Sequence, residues 1–113
     1  MNNLQVRMVD FADQVMTLCS QVSKWSEYSK IIEQVSKSSS SIGANYSEAQ
    51  SASSRKDFHN KIRIGLKEAR ETEFWLLLLY KRAPNLKDID KIRQEAEELV
   101  KILTSISVKT KPN

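Results

Sequence analysis

SSRKDFHNKIRIGLKEARETEFWLLLLYKR, residues 53–82, is the longest helical pattern in the chain and its most basic stretch. Ser54 followed three residues later by Asp57 is a capping-box variant, which predicts a helix starting near Arg55. Pro84 lacks an amide proton and disfavours helix at the residue before it, so the helix is expected to end near Arg82. At about 100° per residue, Phe58, Ile62, Gly65, Ala69, Thr72, Leu76 and Leu79 fall on one side and make a core stripe. Lys56, Arg63, Lys67 and Arg70 stack on the opposite side within a sector of about 60°.

That basic stripe has two physical readings. One is a solvated face, with Lys67–Glu71 and Arg70–Glu73 as local ion pairs worth about 0.2–0.5 kcal/mol each. The other is a strip that tracks a phosphate backbone. No aromatic residue stands among the four positions, which argues against sequence-specific reading of a single strand. A third side holds Ile64, Trp75 and Leu78, between the core and the basic stripe. Large apolar groups there suit a partner surface, or a wide core sector if the helix is central in a bundle. Leu76 to Tyr80 is apolar all round, more than one small bundle can cover, so self-association is expected.

Working outwards, the chain of 113 residues suffices for one domain, residues 1–113, with a single core. Only two Gly and two Pro, with many Lys, Glu, Ser, Ile and Leu, fit an all-α protein. The net charge of +4 is local in origin. Residues 55–82 carry Arg55, Lys56, Lys61, Arg63, Lys67, Arg70, Lys81 and Arg82 against Asp57, Glu68, Glu71 and Glu73. A mild basic bias permits an anionic partner without demanding one.

Before this stretch, Leu4, Met8, Phe11, Val15, Leu18 and Val22 predict a first helix over 4–22. A connection over 23–27 follows, with Ser26 as an N-cap. Ile31, Val35, Ile42, Tyr46 and Ala49 predict a second helix over 27–52. Its middle is serine-rich, but the apolar period passes through unbroken, so it reads as helix and not as linker. Ser36, Ser40, Gly43 and Ser47 form a stripe of small side chains that admits another backbone closely. Gly43 and Gly65 each cost about 1 kcal/mol against Ala mid-helix, which points to tight helix contacts. Ser38, Ser41, Asn45 and Glu48 line a polar stripe expected to form a structural hydrogen-bond network. Beyond Arg82, Pro84 and Asn85 form a turn with Asn85 as an N-cap, and a fourth helix runs over 86–106 on Ile89, Ile92, Ala96, Leu99, Leu103 and Ile106. Lys91–Glu95 and Glu97–Lys101 support its outer face, and the tail after Ile106 reads as frayed. Four amphipathic helices with short connections make an antiparallel up-down-up-down four-helix bundle.

Chemical motifs are sparse. Phosphate-binding Gly-rich loops are missing, and the S-x-x-K of Ser53 to Lys56 lacks its partner motifs. His59 and Cys19 are the only residues of their kind, too few for a zinc set, and Cys19 reads as a small buried hydrophobe. No catalytic residue, metal, cofactor or small-molecule substrate is assigned. The N-terminus shows no apolar secretory run and no stretch spans a bilayer, so a soluble, cytoplasmic protein is expected.

The run SIGANYSEAQSASSRKDFHNKIRIGLKEARETEFWLLLL, Ser41 to Leu79, resembles the bacterial four-helix-bundle family named after proteins encoded in 23S rRNA intervening sequences. The family pattern falls on Ser41, Ile42, Gly43, Ala44, Asn45, Glu48 and Ala49, then on Asp57 and Phe58. It continues through Lys67, Glu68, Ala69, Glu71, Thr72, Phe74, Trp75 and Leu76. Gly65 stands where the pattern has Ala. The resemblance implies a small cytoplasmic bundle that assembles as a ring-like homopentamer; it does not imply an enzyme. Related bundles serve retroelements as accessory proteins, where a basic pentamer engages nucleic acid and a reverse transcriptase. The resulting expectation is a homo-oligomer binding RNA or DNA through Lys56, Arg63, Lys67 and Arg70, with Ile64, Trp75, Leu78, Gly43 and Ser47 between copies. The alternative is a protein-interaction scaffold with no nucleic-acid role.

Overall fold

A computed structural model describes residues 1–113. It has four helices and no strand: α1 (Asn3–Cys19), α2 (Ser29–Ala49), α3 (Arg55–Arg82) and α4 (Ile89–Thr110). α3 sets the long dimension: its 28 residues, at about 1.5 Å each, nearly span the 46 Å axis of the molecule.

Pairings along the seams show the antiparallel order. Between α2 and α3, Glu48 meets Lys61, Ser38 meets Thr72, and Glu27, just ahead of α2, meets Arg82. Between α3 and α4, Arg93 lies over the Tyr80 ring and Arg55 reaches Lys109 and Thr110. α1 runs against α2, with Met8 beside Gly43 and Asn2 at Tyr46. Of the neighbouring pairs, α1 and α4 touch least. Polar clasps join them, Arg7 to Glu95 through two bonds of 2.7 Å and Gln21 to both backbone groups of Lys87. The bundle is therefore up-down-up-down.

The core follows the predicted stripes. Ile62, Gly65, Ala69, Thr72, Leu76 and Leu79 of α3 are buried, as are Ile31, Val35, Ile42, Tyr46 and Ala49 of α2. Cys19 is buried, and burial pushes its thiol above the usual range, with Ser36 opposing. Phe58 and Ile106 are only half-buried. Of the apolar run at the end of α3, Leu77 remains 51% exposed, so the bundle leaves part of it uncovered.

Several boundaries differ from expectation for local reasons. α3 starts as predicted, with the Ser54 hydroxyl accepting from the Asp57 amide. The Asp57 carboxylate reaches back one residue further, to the Ser53 amide. Ser26 does not cap α2. Its hydroxyl donates to the Ser23 carbonyl and accepts from Tyr28, closing a turn, and the helix begins at Ser29. Asn85 does not cap α4. Asp88, at φ 66°, turns the chain and Ile89 starts the helix. α4 also runs past Ile106 to Thr110, because Arg55 donates to the carbonyls of Lys109 and Thr110 and His59 meets the Thr110 hydroxyl at 3.3 Å. A cation on the last carbonyls satisfies groups that a helix end otherwise leaves orphaned.

The two glycines are not equivalent. A Cβ on Gly65 would meet nothing closer than 3.7 Å, whereas one on Gly43 would stand 3.2 Å from Met8 Cβ, which is fixed to the α1 backbone. Gly65→Ala is therefore expected to raise the unfolding free energy by about 0.5–1 kcal/mol through helix propensity alone. Gly43→Ala should gain less or lose, since α1 must shift. Urea unfolding of both variants checks the order; equal gains would contradict the close α1–α2 approach.

Candidate nucleic-acid interface

Lys56, Arg63, Lys67 and Arg70 all project from the outer face of α3, turned away from its core stripe, and all are exposed. None of them has a carboxylate within ion-pair distance, and the expected Lys67–Glu71 and Arg70–Glu73 pairs do not form. Lys91–Glu95 and Glu97–Lys101 do not form either: Glu95 is taken by Arg7, and Lys101 pairs with Glu98 at 3.6 Å. The chain's shorter ion pairs mostly join different segments, and the outer face of α3 has no helix opposite to supply an acid.

The acids that flank the stripe sit on its edges. Burial holds the Glu68 carboxyl above the usual carboxylate range, helped by Glu71 and opposed by Lys67 and Lys37. Burial likewise raises Glu73, with Glu97 adding to it and Arg70 opposing. Lys67 and Arg70 thus act on these carboxyls through space without being neutralised by contact. Arg63, Lys67 and Arg70 rim a shallow depression whose lining includes Ile64, Leu66, Phe74 and, from α4, Ser107.

Phe74 and Leu77 were not singled out as surface residues by sequence reasoning. They stand 58% and 51% exposed. Their signal was available, because the four-and-three step through Arg63, Lys67 and Arg70 continues onto 74 and 77. The Phe74 ring meets Trp75 edge-on, centroids 5.0 Å apart at 82°.

The expected contact residues divide. Ile64 is 43% exposed, while Trp75 and Leu78 are partly buried against the core. Gly43 and Ser47 face α1 of their own chain, Gly43 against Met8 and Ser47 accepting from Gln5 at 3.5 Å. The small-residue stripe therefore seats α1. The polar stripe is not a side-chain network: Ser41 donates to the Lys37 carbonyl, Asn45 to the Ser41 carbonyl, and Glu48 pairs with Lys61 at 3.8 Å. The buried interhelical polar bond belongs to Ser38, which accepts from the Thr72 hydroxyl at 2.8 Å. No His, Cys, Asp and Glu side chains gather into a set of three that could hold a metal ion, and no helix is long and apolar enough to cross a membrane.

A family model described as 23S rRNA-intervening sequence protein matches residues 3–105. The chain is also similar to a crystal structure of a protein of unknown function from the S23 ribosomal protein family of Bacteroides thetaiotaomicron VPI-5482. The two share 34% identity with a TM-score of 0.78, over 91% of this chain and 96% of that one. No curated protein matches.

A carboxyl raised in the fold favours the folded state in its protonated form, so its cost appears as pH rises through the folded value. Glu73→Gln is therefore expected to stabilise the protein near pH 7 and to change little below about pH 3, where the wild-type group is protonated folded or unfolded. Thermal unfolding at the two pH values checks this; a larger gain at acid pH would contradict it.

Proposed function

The chain belongs to the 23S rRNA-intervening sequence protein family, and on that premise we propose that it is a non-enzymatic, self-assembling helical bundle that binds RNA or DNA through phosphates. The observation that carries this reading is the row Lys56, Arg63, Lys67 and Arg70, exposed and without a carboxylate in contact. The row covers about 21 Å of helix axis at about 1.5 Å per residue, long enough to follow several phosphates of one strand. Backbone contacts position a nucleic acid without reading its sequence. Assembly into a homo-oligomer, a pentamer as the family resemblance implies, would repeat the row and turn weak single contacts into avid ones.

Four phosphate contacts predict that log K falls with log salt at a slope of about −3.6 on duplex DNA, and more steeply if several copies engage one molecule. Anisotropy on a labelled structured RNA and a DNA duplex across a salt series measures it. Arg63→Glu with Lys67→Glu should abolish binding while leaving the helical circular dichroism intact. Unchanged affinity in that variant would reject the assignment.

A second reading, a scaffold that contacts proteins and has no nucleic-acid role, draws on Ile64, 43% exposed beside half-buried Trp75 and Leu78. If this flank joins copies, Ile64→Asp should lower the oligomer mass in native mass spectrometry. A wild-type mass would remove Ile64 from the interface.

A further inference from the structure

We propose that Phe74 is a base-stacking platform at the end of the phosphate row, which makes unpaired RNA or DNA the preferred ligand of this face over a duplex. The proposal rests on the phosphate-binding reading of the row and names the class of nucleic acid that it takes.

Three observations meet at this position. Arg63, Lys67, Arg70 and Phe74 lie on one line of α3, so the ring stands one helical turn, about 6 Å along the axis, beyond the last cation. The ring is 58% exposed and adjoins exposed Leu77, so this end of the row presents an apolar patch and not a lone side chain. It is also braced, because Trp75 meets it edge-on at 5.0 Å and is itself partly buried against the core. A braced ring loses little freedom when a second flat group stacks on it.

The chemistry of the surroundings selects the occupant. A bare apolar patch accepts any greasy partner. Here three cations without contacting carboxylates precede the ring, so the complementary ligand is a polyanion that also offers flat π-faces. A single strand does so at every nucleotide, whereas a duplex offers phosphates but keeps its bases stacked on one another. Without the ring, the row would discriminate by charge density alone and favour the duplex. Stacking on a phenyl group tolerates every base, so the expected preference is for strandedness and not for sequence. Leu77, one turn further on and 51% exposed, extends the apolar floor under the sugar or the next base.

The test compares wild type, Phe74→Ala, Phe74→Trp and the Arg63→Glu, Lys67→Glu double variant on two probes. These are a short labelled poly-uridine strand and a blunt RNA duplex of the same length, read by anisotropy at one salt concentration. Native mass spectrometry is run on each variant. Phe74→Ala is expected to weaken strand binding by about tenfold or more while leaving duplex binding within about twofold, as loss of one stacked base predicts. Phe74→Trp should restore strand binding, and both variants should keep the wild-type mass. If the charge reversal abolishes binding but Phe74→Ala weakens both probes equally or neither, stacking at Phe74 is overturned and the phosphate row stands. If wild type binds neither probe, or the charge reversal changes nothing, the row itself fails and the stacking proposal with it. A Phe74→Ala protein of reduced mass would place Phe74 between copies of the chain and also overturn the proposal.

Discussion

A Cβ on Gly65 would stand 3.7 Å from the Ile42 carbonyl and from Asn45 Cβ of α2, and 3.9 Å from Leu103 of α4. Two turns further along the same stripe, the buried Thr72 hydroxyl donates to Ser38 across the α2–α3 seam at 2.8 Å. Gly65, Ala69 and Thr72 are small, so α2 and α4 both close on α3 there, while Ile62, Leu76 and Leu79 fill the space at either end. α3 thus becomes the central plank. α1, by contrast, is seated mainly on α2 through the gap at Gly43, and meets α4 through polar clasps. The one buried hydroxyl pair is satisfied, and no buried side-chain polar atom lacks a partner. An unpaired hydroxyl there would cost about 1–3 kcal/mol.

Placing α2 and α4 on either side of α3 also decides what its outer face can be. With neighbours on two flanks, only the side opposite the core stripe remains open, and that side carries the cations. Three acids are drawn into the seams between segments, where Glu95, Glu48 and Glu27 meet Arg7, Lys61 and Arg82. Exposed pairs along one helix are worth only a few tenths of a kcal/mol. The expected Lys67–Glu71 and Arg70–Glu73 contacts therefore had little to hold them. Their absence leaves the cations of the row uncontacted beside an exposed ring, with Glu71 lining the same depression.

Helix number, type and inward faces were legible in the sequence because they depend on periodicity, which is local. Ile62, Ala69, Leu76 and Leu79 are buried where the three-and-four step placed them, and α3 begins and ends at its predicted residues because Ser54 and Pro84 act on their own turn. The family pattern from Ser41 to Leu79 was legible for the same reason, being a run of residue types at fixed spacing. The solvent-facing line of Lys56, Arg63, Lys67 and Arg70 likewise followed from the helical angle alone.

Tertiary structure decided everything that needs a second helix. α4 continues to Thr110 only because Arg55 and His59, some fifty residues earlier, meet its last turn. Gly43 and Ser47 could have admitted any backbone, and which one came close was settled by how α1 lies across α2. Ser38, not Ser41 or Asn45, became the buried polar contact because Thr72 stands opposite it. Phe74 and Leu77 lie on the helical line of the basic row, and the positions of α2 and α4 on the other flanks leave that line in solvent. Sequence sets the faces of each helix, because the turn angle is intrinsic to the backbone. Which faces meet is a property of the assembled bundle, where burial of one face fixes the exposure of another.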